Sequence, residues 1–139
     1  MIFNFKMIKN ISIIFFINFF LTISLNANAE WINTAYSDKG DYYHYDPLSL
    51  SRHNDYIVVW ELVDYTRQSL TPDKPIYSAK NLIQIDCLTL KHRFITSIYF
   101  SQTGGAGYIV MNDDSISNWT PNYSGSTGYA HATTICRNY

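Results

Sequence analysis

Residues 56–64 read Tyr56-Ile57-Val58-Val59-Trp60-Glu61-Leu62-Val63-Asp64. In an extended chain Val58, Trp60 and Leu62 fall on one side, and Ile57, Val59, Glu61 and Val63 on the other. A strand that is apolar on both sides belongs in the middle of a sheet, and its β-branched and aromatic residues suit that position. Alternation also governs the chain on either side of it. Trp31 to Tyr36 and Tyr42 to Asp46 read as short strands around a Ser37-Asp38-Lys39-Gly40 turn. Tyr65 to Tyr77 reads as a loop, because Thr71-Pro72-Asp73 and Lys74-Pro75 suit turns and edges. Ser78 to Cys87 and Lys91 to Ser101 are two longer strands. Gly104-Gly105-Ala106-Gly107 breaks the second, and Tyr108 to Met111 is a sixth, short strand. Asn112-Asp113-Asp114 is expected to turn, and Trp119-Thr120-Pro121 to lead out of the sheet.

The two long strands predict a hairpin. With Cys87 and Leu90 flanking a turn at Leu88-Thr89, Ile85 faces His92, Ile83 faces Phe94 and Ala79 faces Ile98. The other side pairs Asp86 with Lys91, Gln84 with Arg93 and Leu82 with Ile95. An inward apolar row with an outward acid–base pair is the pattern of a half-buried antiparallel hairpin. On this register Lys80, Lys91 and Arg93 share the outward face. The tail from Ser126 to Cys136 is the helix candidate, capped by Ser126 or Ser124, with Tyr129, Ala132, Thr133 and Cys136 on one face. Gly128 and several threonines make it a weak helix in isolation. The fold class expected is α+β, mainly β: about six antiparallel strands, with a C-terminal helix packed on one face and tethered by a disulfide.

The first 29 residues stand apart. Lys6 and Lys9 precede an apolar run from Ile11 to Leu25, which ends in Ala27-Asn28-Ala29. That is the tripartite pattern of a cleavable Sec-type signal peptide, with the cut before Glu30 and one domain over residues 30–139. The run is short for a bilayer span and is interrupted by Asn18, Thr22 and Ser24. No later stretch is long and apolar enough to replace it. Loss of Lys6 and Lys9 leaves eight basic and eleven acidic residues, a net charge of −3. That balance argues against a general nucleic-acid binder. Cys87 and Cys136 are the two cysteines. Export with an even count reads as one disulfide, and the spacing is not that of a redox or zinc motif.

The signatures of catalysis are missing: no Gly-x-Ser-x-Gly, no His-Glu-x-x-His, no phosphate-cradling loop. Ser51 and His53 form a nucleophile–base pair only on paper, so no enzyme is expected. His44, His53, His92 and His131 are scattered without ligand spacing, and Asn112-Asp113-Asp114 lacks a calcium-loop pattern, so no metal or cofactor is expected. The sequons at Asn118 and Asn122 read as incidental. The aromatic content is the informative oddity: 12 tyrosines, several of them clustered in the first half. Tyrosine supplies rigid contact area with a polar handle, which suits protein recognition.

Taken in order, certain residues carry a resemblance. Trp31 opens the set, followed by Tyr42-Tyr43 and Tyr45-Asp46-Pro47, then Val59-Trp60-Glu61-Leu62-Val63-Asp64-Tyr65. Ser78-Ala79-Lys80 runs into Ile85-Asp86-Cys87. Arg93, Gly105 to Gly107, Trp119 before Pro121, and Cys136 complete it. This chain resembles the surface-adhesin protein E family over nearly all of residues 30–139. The resemblance implies an antiparallel sheet of about six strands with helix on one face, and a Cys87–Cys136 bridge. It also implies exposure on a Gram-negative surface and binding of host matrix and serum proteins. Adhesins of this type can carry a lipid on a cysteine at the cleavage site. Here Glu30 follows Ala29 with no cysteine near, so a lipoprotein is not expected.

The expectation is an exported periplasmic or cell-surface protein that recognises other proteins through its sheet face and loops. Lys80, Lys91, Arg93, Tyr43 and Tyr45 are the candidate contact residues. The alternative is a soluble periplasmic small-ligand or envelope-stress protein with no adhesive role. An unpaired sheet edge invites a homodimer, with Pro72 and Pro75 guarding one edge.

Overall fold

The hairpin predicted around Cys87 organises the molecule. A computed structural model describes residues 29–69 and 74–138. The signal-peptide reading lies, apart from Ala29, outside the described residues, as does Pro72. Strand β5 (Ile76–Asp86) returns through residues 87–90 into β6 (Lys91–Phe100). Asp86 holds that turn: its carboxylate accepts from the Leu88 N–H at 2.9 Å and from the Thr89 N–H and hydroxyl at 3.1 and 2.7 Å. These local bonds replace the glycine signal the turn lacks. The predicted pairs Asp86–Lys91, Ile85–His92, Gln84–Arg93 and Ile83–Phe94 all form. Beyond them the register slips by one: Leu82 faces Thr96 and Ala79 faces Tyr99. Ile95 is the extra residue of a bulge, which keeps Ser97 rather than Ile98 on the buried side.

Strand β4 (Tyr56–Ser69) lies on the other side of β5 and is the longest strand. It extends five residues beyond Asp64, so Tyr65–Ser69 is strand where a loop was expected. β-branched and aromatic residues at Tyr65 and Thr66 continue the pleat, and the Thr66 hydroxyl and N–H bond to Lys39 and Asp41 of the first turn. The outer edge of β4 is shared. β1 (Ile32–Tyr36) pairs with β2 (Tyr42–Tyr45), and β2 pairs with Leu62 and its neighbours. A 3-10 turn at Pro47–Ser49, capped by Asp46, then leads to β3 (Ser51–His53), which pairs with the start of β4. The Ser49 hydroxyl accepts from the Trp60 N–H at 3.0 Å and fills the gap in the ladder between β2 and β3.

On the far side β6 pairs with β7 (Ile109–Asp113) and with β8 (Thr120–Pro121). Asn112 and Asp113 are therefore strand rather than turn, and Thr120-Pro121 rejoins the sheet rather than leaving it. The main order is β1-β2-β4-β5-β6-β7, with β3 and β8 as short additions, eight strands among the described residues.

Helix α1 (Thr127–Arg137) lies across one face. Ser126 caps it, its hydroxyl accepting from the Tyr129 N–H at 3.1 Å. Its buried side is His131, Ala132 and Ile135, one residue round from the face expected. Ala132 and Ile135 meet Tyr45, Ile57, Val59, Ile83 and Ile85 from the sheet in a single core. Burial of a residue such as Ile135 is worth about 1.5–3 kcal/mol, which offsets the helix's poor propensity. The Cys87–Cys136 disulfide, with Cα atoms 5.7 Å apart, ties the hairpin turn to the last turn of α1.

Candidate functional site

The sheet has two unlike faces, set by the alternation first seen in β4. On the outer face lie Val58 and Trp60 of β4, Lys80, Leu82 and Gln84 of β5, and Arg93, Ile98 and Phe100 of β6, all half-buried. A 3-10 turn, Thr103–Gly105, packs over the Lys80 end of this face, the Gly104 N–H donating to Asp64 Oδ1 at 2.6 Å and the Gly105 N–H to the Ser78 hydroxyl at 2.9 Å; among the described residues no α-helix or second sheet lies over the rest. Cations and aromatic rings interleave there. The Lys80 ammonium sits 5.8 Å from the Trp31 ring centre and 5.3 Å from that of Phe100. The Arg93 guanidinium lies 4.7 Å over Trp119, whose ring is 5.7 Å from Tyr56, and its Nε donates to the Gln84 Oε1 at 2.8 Å.

The expected contact residues are therefore sorted. Lys80, Lys91 and Arg93 do share this face, with Lys91 exposed across from Asp86. They are not one patch. Gln84, the partner of Arg93, is four residues from Lys80, about 13 Å along the strand. Tyr45 is 2% exposed. It points into the core, its hydroxyl accepting from the Asn138 amide at 3.4 Å, and cannot serve as a contact. Tyr43 is half-buried against the other face, its ring 5.9 Å from that of His131.

That other face holds a cluster that sequence reasoning missed. Glu61, Asn81 and His131 are 5%, 5% and 4% exposed. The Asn81 amide donates to Glu61 Oε1 at 2.7 Å, and His131 Nε2 lies 3.0 Å from Glu61 Oε2. The Thr34 hydroxyl donates to the Tyr43 carbonyl at 3.1 Å. It has one proton, so its contact with His131 Nδ1 is one it accepts, and Nδ1 carries a hydrogen. Nε2 then faces a carboxylate oxygen of Glu61. The contact is close, yet Nε2 has no in-line hydrogen-bond partner. Burial pushes the Glu61 carboxyl up, but the adjoining His131, with the Asn81 amide, outweighs burial and holds it below its ordinary value.

The cluster floors a cleft of about 210 Å³ between α1 and the sheet. Val63, Ile83, Ile85 and Ala132 are its buried apolar walls, and Tyr43, Tyr65, His92, Phe94, Asn122 and Gly128 form its half-exposed rim. Burial lowers the His92 imidazole, and Asn122 bonds to its ring. Burial first, then nearby charge including Glu61, raises the Tyr43 and Tyr65 hydroxyls, so both stay protonated. The one sequence signal for this site was Glu61 itself, a charge on an otherwise apolar row.

The sequence profile of the surface-adhesin protein E family matches residues 31–137. The chain belongs to that family. Solved structures of Haemophilus influenzae protein E share its fold. A selenomethionine form is 16% identical over 82% of this chain and 91% of that one, with a TM-score of 0.61. A second crystal form is 15% identical over 85% and 98%, with a TM-score of 0.60. At that identity the likeness is one of fold. No curated protein matches in sequence. The family is described as one of surface adhesins, which is not an enzyme class. Among the described residues no three His, Cys, Asp or Glu side chains converge as for a metal, and no helix is long and apolar enough to cross a membrane.

Proposed function

We propose that this is an exported binding protein of the bacterial periplasm or cell surface that recognises other proteins, host matrix or serum proteins among them, through the outer face of its sheet. Residues 1–29 act as the signal peptide, without lipid attachment at Glu30. The observation that carries the reading is the outer face itself, which no α-helix among the described residues covers and where Trp31, Trp60, Phe100 and Trp119 stand among Lys80 and Arg93. Trp, Tyr and Arg dominate the energetics of protein interfaces. Half-buried rings in a pleated layer are already ordered, so little freedom is lost when a partner covers them. Membership of an adhesin family points the same way.

The test is a surface-binding assay of the oxidised protein against matrix proteins, serum proteins and envelope fractions. Saturable binding is expected. Trp60→Ala with Arg93→Ala should weaken it at least tenfold while leaving the far-UV spectrum unchanged. Absence of saturable binding to every fraction, or binding indifferent to both substitutions, overturns the proposal. Fractionation with external protease separates the two locations: digestion on whole cells marks the surface, and protection until the envelope is opened marks the periplasm.

A further inference from the structure

The cleft beneath α1 has the makings of a ligand site. Its volume of about 210 Å³ exceeds the roughly 150 Å³ of an engineered apolar cavity that admits benzene. Its polar floor is built rather than incidental, since Glu61, Asn81 and His131 are all more than nine-tenths buried. Hydrogen-bond accounting leaves acceptors open. An ionised carboxylate offers about four lone-pair positions. Glu61 receives one in-line bond, from Asn81, and the off-line approach of His131. His131 Nε2 is itself buried without an in-line partner.

Charge then decides what can enter. The one carboxylate of the cleft already has a basic partner, His131 Nε2 at 3.0 Å from Glu61 Oε2. No lysine, arginine or second carboxylate lines the cleft. A charged guest would bring a buried charge with nothing to offset it. A guest with no donor would leave the carboxylate lone pairs dry. We propose that the cleft binds small neutral hydroxyl-bearing molecules of the phenol or short-alcohol class, their apolar body on Ile83, Ile85 and Phe94 and their hydroxyl donating to Glu61. Entry is at the rim formed by Asn122, His92 and Gly128. The site lies on the opposite side of the sheet from the outer face, so the two proposals stand or fall separately.

The intact oxidised protein, carrying labelled isoleucine and alanine methyl groups, is titrated with phenol, anisole, benzoate and benzylammonium. Phenol is expected to shift the Ile83, Ile85 and Ala132 methyl signals saturably. It should bind about tenfold or more tighter than anisole, which has the same ring and no donor, because the bond lost is one to a charged acceptor. Benzoate and benzylammonium should leave those signals unmoved. Glu61→Gln should bring phenol down to the affinity of anisole, and if that variant does not fold, the four-compound series on the unmodified protein decides. Failure of phenol to produce a saturable shift at these methyls overturns the proposal. So does anisole binding as tightly as phenol, or either charged analogue doing so.

Discussion

Removal of one partner of the Glu61–His131 pair should harm the protein more than removal of both. Glu61→Leu leaves the imidazole and the Asn81 amide facing hydrocarbon. His131→Leu leaves a carboxylate at 5% exposure with Asn81 as its remaining donor at 2.7 Å. Breaking a buried pair from one side costs about 3–5 kcal/mol. In Glu61→Leu/His131→Leu the orphan is the Asn81 amide, worth about 1–3 kcal/mol. The Thr34 hydroxyl keeps its bond to the Tyr43 carbonyl. Two leucines of similar bulk also close α1 onto Ile83 and Ile85. The double variant should therefore be more stable than either single one, with a coupling of at least about 3 kcal/mol, against a total stability of about 5–15 kcal/mol for such a domain. Urea denaturation at pH 7, followed by circular dichroism with the disulfide intact, measures all four corners of the cycle. If the two single losses simply add, to within about 0.5 kcal/mol, the pair does not act as a unit and the reasoning fails.

Other outcomes follow from the same structure. Cys87→Ser/Cys136→Ser opens a loop with a sequence separation of 49; the chain-entropy model puts the loss at about 4 kcal/mol, and a thermal melt under matched conditions should show a drop of well over 10 °C. Ser126→Ala removes the cap on Tyr129 and should cost about 1 kcal/mol, read as a lower denaturation midpoint with unchanged slope. Stability should also follow pH with a definite sign. Glu61 and His92 are held below their ordinary 4.5 and 6.5, so the folded state binds fewer acid-side protons than the unfolded one. Their contribution is complete above those values and is lost as pH falls through the folded ones. Tyr43 and Tyr65 are raised above 10.0, so their contribution is complete below pH 10 and is lost as pH climbs beyond it. Melting temperature should fall below about pH 6.5, more steeply below 4.5, and again above 10; a maximum near pH 5 would contradict this assignment.

Much of the sheet was legible in the chain because period-two alternation is a local signal. The hairpin register held for four pairs, from Asp86–Lys91 to Ile83–Phe94, and failed at Ile95. A bulge is fixed by which side chain the core accepts, and the sequence shows only another apolar residue in line. β3 and β8 escaped notice because three and two residues carry no periodicity. Tyr65–Ser69 was misread because the prolines at 72 and 75 marked a loop without marking where it starts. The helix was found, but its buried face was placed one residue off. An imidazole looks solvent-bound until its carboxylate is known, and Glu61 stands 70 residues earlier, reachable only through the fold. Tyr45 is a candidate contact by sequence and a core residue in the fold, because a tyrosine's burial depends on strand phase, which the local sequence does not show.

Gly128 gives the helix a further significance. A Cβ at that position would meet the Asn122 Oδ1 at 2.4 Å, and Asn122 bonds in turn to the His92 ring. The smallest possible enlargement of residue 128 would thus swing the Asn122 amide off the imidazole of His92 on β6. One methyl group there acts as a tuning screw on the doorway, able to re-gauge what passes into the interior without touching the floor beneath.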